Sequence, residues 1–299
     1  MHDYTLGLIP IPSLYIIVPL FFTFFYYKRF SSLKDFIFAT LTTLVWIINF
    51  FYLLWGFNYT QPSLYQTLNL PIVELDSTYI KETFLSQTAI VDSLAQKNTT
   101  ASAEQNNDQL ESHLRLIQEE TIGEWGTPTI GRVRIRKVPG GSLLRIRTSG
   151  IYIPHAFEGH IDNGLYFKQH PFTMAHEMAH GYGYTDESVC NFIGYLTCIS
   201  SNDALVRYSG ELAYWRYLVR YYRYFYPDEW TATYDGLSPA LHSDLTDIRE
   251  HIDQYKDLMP VMRDVIYDNY LKTHGVKSGI KSYDEMIQLI ASWQTKEKN

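Results

Sequence analysis

Two uncharged apolar stretches constrain this chain more than anything else in it. Leu6 to Tyr27 reads LGLIPIPSLYIIVPLFFTFFYY, and Phe36 to Phe57 reads FIFATLTTLVWIINFFYLLWGF. Each is close to the ~20 apolar residues an α-helix needs to cross a hydrocarbon layer of ~30 Å. Two transmembrane helices are therefore expected. The first contains Pro10, Pro12 and Pro19, so it starts late or kinks, whereas the second has no proline. A cleaved signal peptide is the rival for the first stretch, and the lack of a basic flank before it argues against that. The loop between them, KRFSSLKD, holds three basic residues and one acid, and no Lys or Arg follows the second stretch until Lys81. By the positive-inside rule that loop faces the cytoplasm and both ends of the chain lie outside it. The expected plan is a membrane anchor over 1–57 with spans at about 6–27 and 36–57, a juxtamembrane linker over 58–75, and a domain over 76–299.

The remainder reads as α+β and mostly helical. Apolar residues recur at three- and four-residue spacing in Asp76 to Gln96 and Asn107 to Glu120, which predicts two amphipathic helices joined by the polar loop KNTTASAEQNN. Arg132 to Val138 (RVRIRKV) and Ser142 to Arg147 (SLLRIR) alternate around Pro139-Gly140-Gly141, the pattern of a hairpin, and Gly150 to Pro154 (GIYIP) reads as a third strand. Past Thr173 nearly everything is expected to be helical, with turns near Pro227 and at 236–239. The run YWRYLVRYYRYFY at Tyr214 to Tyr226 is read as a core helix, with lipid contact as the alternative. A net charge of −7 with dispersed basic residues excludes the positive stripe of a nucleic-acid binder. The only cysteines, Cys190 and Cys198, stand ~12 Å apart if they share a helix, beyond disulfide reach, and are expected to be buried thiols.

One segment carries chemistry. In PFTMAHEMAHGYGYTDESVCNF, His176 and His180 are four apart and project from one helix face, where both can offer a nitrogen to one metal ion. Glu177 beside them is placed to take a proton from water and return it to a leaving amine. Met174, Ala175, Met178 and Ala179 fill the other faces, and Gly181 and Gly183 supply the stop. Thr185-Asp186 reads as the start of a second helix that packs back on the first. That brings Glu187 toward the histidines as a third ligand, with Asn191 one turn on as support for a ligand imidazole. His155 and His160 are alternative third ligands within a cluster, with Glu158, Asp162 and His170, expected at the cleft edge. Tyr208, Arg207 or His160 would stabilise an oxyanion. The strand around Ile151 to Ile153 is an edge on which an extended substrate can pair.

WGFNYTQPSL after the second apolar stretch, the segment around His176, RYSGEL at Arg207 and YDNYLK…SYDEMIQLI near the end together resemble the bacterial family called domain of unknown function 3810. That resemblance implies a zincin-like, gluzincin-type peptidase domain with the pattern H-E-x-x-H-x-x-G-x-x-x-E-x-x-A-N. It places zinc ligands on His176, His180 and Glu187 and the general base on Glu177, with Gly183 and Asn191 also matching. Cys190 stands where the pattern has Ala. The E-x-x-A-N element is similar to the E-x-x-A-D of the membrane-bound CAAX-processing zinc peptidases. The resulting expectation is a multi-pass enzyme of the bacterial inner membrane, its catalytic domain outside the cytoplasm, cleaving envelope or periplasmic polypeptides with Zn²⁺. The alternatives are an inactive binding scaffold of the same fold and a structural envelope protein.

Overall fold

The computed structural model describes residues 32–98, 106–258 and 285–298, and these fall into two units, residues 1–60 with 154–156 and the rest. The expected span at 6–27 lies outside the described residues. In the first unit, helix α1 (Leu33–Leu54) opens on Ser32, whose hydroxyl accepts from the Asp35 N–H. It is 22 residues long, its most apolar 18-residue window has a mean hydropathy of 2.0, and none of that window is buried, so it is long and apolar enough to cross a membrane. Its polar side chains are satisfied locally. Thr40, Thr42, Thr43 and Asn49 each donate to the carbonyl four residues back, which is what a helix without water around it requires.

The second unit runs α2 (Leu64–Thr67), α3 (Ser77–Lys97), α4 (Asn107–Glu124), β1 (Arg134–Val138), β2 (Gly150–Ile153), β3 (Glu158–Asp162), α5 (His170–Gly181), α6 (Glu187–Ile199), α7 (Ala204–Phe225), α8 (Pro227–Asp235), α9 (Pro239–Asp253) and α10 (Glu285–Glu297). Helix starts follow side-chain capping: Asp76, Asn106, Asp186 and Asp203 each accept from backbone N–H groups in the first turn of the helix they precede. The stretch read as a linker contributes Leu64, Leu68 and Leu70 to the core. The tyrosine-rich run is a core helix. Tyr214, Trp215, Leu218 and Tyr222 of α7 are buried, and Phe84 of α3 stacks on Tyr222 with centroids 4.1 Å apart.

The sheet corrects the expectation of a hairpin. Its order is β1-β3-β2, with β3 parallel to β1 and antiparallel to β2. Ser142 to Arg147 is no strand; residues Leu144–Ile146 form a 3₁₀ turn that ends on Arg147 in the left-handed region. The cause is Asp162. Its carboxylate accepts from the N–H groups of Gly141, Leu143, Leu144 and Gly164, so that segment's donors are spent on one side chain instead of a ladder. The central strand is instead Glu158–Asp162, buried throughout.

Strand alternation sorts the two faces of the sheet. A Cβ added to Gly150 or Gly159 would run into Glu177, so these positions, with Tyr152 and Ile161, face α5. His160 and Arg136 lie on the other face. Burial, and then the Arg136 charge, hold His160 neutral with its pKa down at about 4; burial, and then Lys137, do the same for His170. Both folded values lie below the ~6.5 of an unfolded histidine, so the unfolded chain takes up protons first as pH falls. Stability is therefore present above pH ~6.5 and is lost on the way to pH 4, on the order of 2–3 kcal/mol per ring. Urea midpoints measured at pH 7 and 4.5 should differ accordingly, and His160→Gln should remove much of the difference. An unchanged slope in that variant would contradict this account.

Candidate metal centre

The site is built by two consecutive helices. Pro171 in the first turn of α5 lacks only an N–H that has no partner there. Met174, Ala175, Met178 and Ala179 are fully buried, which leaves His176, Glu177 and His180 to the remaining side. Its last residue has to be glycine, because a Cβ on Gly181 would stand 2.2 Å from Val133 Cγ1. Gly183, at φ +97°, then reverses the chain. Asp186 caps α6, and Glu187 is its first residue. The outcome is a cluster in which Glu187 Oε2 is 3.2 Å from His176 Nε2 and 3.6 Å from His180 Nε2. All three donor atoms lie within 4.8 Å of one another.

The hydrogen bonds behind the rings decide what the cluster can hold. His180 Nδ1 lies 2.8 Å from the Tyr184 carbonyl, which only accepts, so Nδ1 carries the proton. His176 Nδ1 lies 2.8 Å from Asn191 Oδ1, while Asn191 Nδ2 donates to the Tyr217 hydroxyl at 3.0 Å. Both imidazoles thus turn Nε2 toward the carboxylate. Two lone pairs and an anion facing each other at these distances repel unless positive charge is shared among them, and a metal ion is one way to supply it. Donors around a tetrahedral ion with ~2.0 Å bonds stand roughly 3.3 Å apart, which the 3.2 and 3.6 Å separations match. A proton can also do the work. Burial disfavours charge on His180 and Glu187, but Cys190 and Glu187 raise His180 well above its ordinary value, and the two histidines hold Glu187 well below its own. Of the groups beside His180, the Glu187 carboxylate is the effective one, since burial raises the Cys190 thiol to about 11 and keeps it neutral.

Glu177 occupies the space left by two glycines. A Cβ at Gly150 would stand 2.5 Å from its Oε1, and one at Gly159 would stand 3.0 Å from its Cβ. Burial pushes its carboxyl up to about 7, against the opposing pull of the histidines. On the same face of β2 as Gly150, two residues on, Tyr152 senses the charge of His180, and burial raises its hydroxyl to about 12.

The structure brings His176, Glu177, His180, Glu187 and Asn191 together and takes other candidates elsewhere. Tyr208 is fully buried with its hydroxyl 2.5 Å from Asp244 Oδ2, beside the Lys168–Asp244 ion pair. His160 lies on the sheet face away from α5, and Glu158 pairs with Arg136. Asp162 ties down its loop, and His170 is buried at the start of α5. Arg207 is exposed and its charge acts on Glu211. His155 belongs to the first unit, where its Nε2 is 3.2 Å from the Ile47 carbonyl. Tyr217 and Tyr152 are the residues sequence reasoning missed. The alternation of GIYIP placed Tyr152 on the face of Gly150, but nothing local linked Tyr217 to a residue 26 positions earlier.

Asn191→Ala frees the His176 ring to rotate and leaves its Nδ1 without an acceptor. Metal affinity, measured by competition with a chelator, should fall about 10- to 100-fold with little change in fold. Unchanged affinity would show that Asn191 has no hold on the ring.

A family model described as "Protein of unknown function (DUF3810)" matches residues 1–291. No curated protein and no solved structure matches the chain.

Proposed function

The chain belongs to the DUF3810 family, whose description assigns no activity, and we propose from its side chains that it is a membrane-bound, zinc-dependent metallopeptidase. The observation that carries the proposal is the convergence of two Nε2 atoms and one carboxylate on a single point, with a second carboxylate, Glu177, beside them. His176, His180 and Glu187 would hold the ion in a gluzincin-type, zincin-like domain. When bound, zinc would lower the pKa of a water molecule and polarise a carbonyl oxygen. Glu177, with a carboxyl near pH 7, is suited both to take a proton from that water and to give it to the departing amine as the C–N bond breaks. Among the described strands β2 is an edge, paired only with β3, so its outer side can align an extended peptide until Pro154 ends it. Tyr152, kept protonated, replaces Tyr208, Arg207 and His160 as the donor toward a developing oxyanion.

In this proposal α1 and a second span over 6–27 anchor the protein in the bacterial inner membrane, multi-pass, with the domain outside the cytoplasm. Envelope or periplasmic polypeptides are then the substrates. Detergent-purified protein should contain about one zinc per chain and cleave casein or members of a peptide library. Chelation should abolish cleavage and zinc should restore it. Stoichiometric zinc with no cleavage would favour a binding scaffold of the same fold, and absence of zinc would refute the metal site.

A further inference from the structure

The two imidazoles of the cluster are held from behind by different chemistry. His180 Nδ1 faces the Tyr184 carbonyl at 2.8 Å, and a carbonyl oxygen only accepts, so that ring keeps a proton on Nδ1. His176 Nδ1 faces the side-chain amide of Asn191 at 2.8 Å, and the far end of that amide meets the Tyr217 hydroxyl at 3.0 Å. An amide carries an acceptor at one end and a donor at the other, and a hydroxyl both donates and accepts. Half a turn of the Asn191 amide therefore exchanges its ends without losing either hydrogen bond. Nδ2 then donates to His176 Nδ1, and Oδ1 accepts from Tyr217.

The two directions are not equivalent on the other side of the ring. With Nδ1 protonated, the Nε2 lone pair stands 3.2 Å from Glu187 Oε2 and is repelled unless positive charge is shared between them. With Nδ1 as acceptor, the one proton of the neutral ring sits on Nε2, and the same 3.2 Å separation becomes a hydrogen bond to the carboxylate. The exchange needs no net proton. One leaves Nδ1 to water and one arrives at Nε2, and 12% of the side chain is open to solvent. His180, 3.6 Å from the same oxygen, has no amide behind it to turn.

We propose that Asn191 is a reversible positioning residue, holding the His176 proton on Nδ1 when a metal ion is bound and sending it to Nε2, against Glu187, when none is. The Tyr217 hydroxyl makes this reversal free of loss by pairing with either end of the amide. Metal binds only the form with a bare Nε2, so it selects that form, and capture has to displace one hydrogen bond and turn one amide. The metal-bound half of the inference rests on the peptidase reading of the site, whereas the metal-free half does not.

The full chain in detergent, labelled with heavy nitrogen in its histidines, is compared with and without zinc at about pH 8, above the ~6.5 of an ordinary histidine. Long-range proton–nitrogen correlation spectra tell a protonated ring nitrogen from a bare one, and His176→Gln and His180→Gln identify the two rings. The metal-free protein should carry its His176 proton on Nε2 and the zinc-loaded protein on Nδ1, with His180 protonated on Nδ1 in both. Asn191→Asp removes the donor end, so His176 should keep Nδ1–H without metal as well. With no hydrogen bond to displace, that variant should bind zinc at least about tenfold more tightly in chelator competition. A metal-free wild type with His176 protonated on Nδ1, or on both nitrogens, overturns the proposal, as does a proton that still moves to Nε2 in Asn191→Asp. Protein that takes up no zinc refutes the peptidase reading, and its metal-free spectrum still decides where Asn191 sends the proton.

Discussion

Glu177→Gln is expected to lower peptide cleavage by about 10³-fold while leaving zinc content unchanged. The substitution keeps the shape of the side chain, which matters because the gap between Gly150 and Glu177 Oε1 admits no change of volume. It removes only the capacity to accept and return a proton, a contribution typically of 10²–10⁴ in rate. The three converging donors are other residues, so their affinity for metal is retained. A second readout does not depend on turnover. Burial raises the folded carboxyl to about 7, above its unfolded value, so between those two pH values the unfolded chain ionises first and stability declines as pH rises. In chelated protein above pH 7, Gln at this position should therefore raise the Tm. Cleavage at the wild-type rate by the variant, or zinc lost along with the carboxylate, would sink the assignment.

Glu187→Gln should weaken zinc binding by roughly a thousandfold. Structural zinc sites with four ligands are worth about 10–16 kcal/mol, so one anionic ligand is responsible for on the order of 3–4 kcal/mol. The amide keeps the helix start, since the cap comes from Asp186, and removes the negative charge that balances the cation. A chelator competition series measures the affinity directly. Thermal melts give an independent value: added zinc should stabilise the wild type by about 4 kcal/mol at a thousand times its Kd and the variant hardly at all at the same concentration. Wild-type affinity in the variant would mean that some other group completes the site.

What the sequence disclosed and what it hid differ in range along the chain. His176, Glu177 and His180 were legible because helical periodicity is a local rule, and Glu187 because a glycine stop and an Asp cap bracket a short turn. Asn191 followed from one further turn of α6. The amphipathic helices α3 and α4 appear within a few residues of where their apolar spacing put them. The sheet was misread where one side chain overruled local pattern: SLLRIR alternates as a strand does, yet Asp162, about twenty residues downstream, takes its N–H groups. The same distance effect hid the central strand. EGHID carries His and acids that look solvent-facing in sequence, and only pairing on both sides by β1 and β2 makes them interior. Tyr208 was nominated for the site because a tyrosine hydroxyl suits an oxyanion, but Asp244 claims it from α9.

The short turn between α5 and α6 has a consequence for the order of assembly. All three donors lie within a span of twelve residues, 176 to 187, and need nothing but one helical hairpin to meet. The rest of the machinery comes from far away: Gly150 and Gly159 wall in Glu177 from strands made earlier, and Tyr217 buttresses His176 from a helix made later. Closing the hairpin costs little chain entropy, whereas docking the strands and the later helix costs more. A nascent chain can therefore bring these three side chains together before the strands and the later helix that surround them have docked.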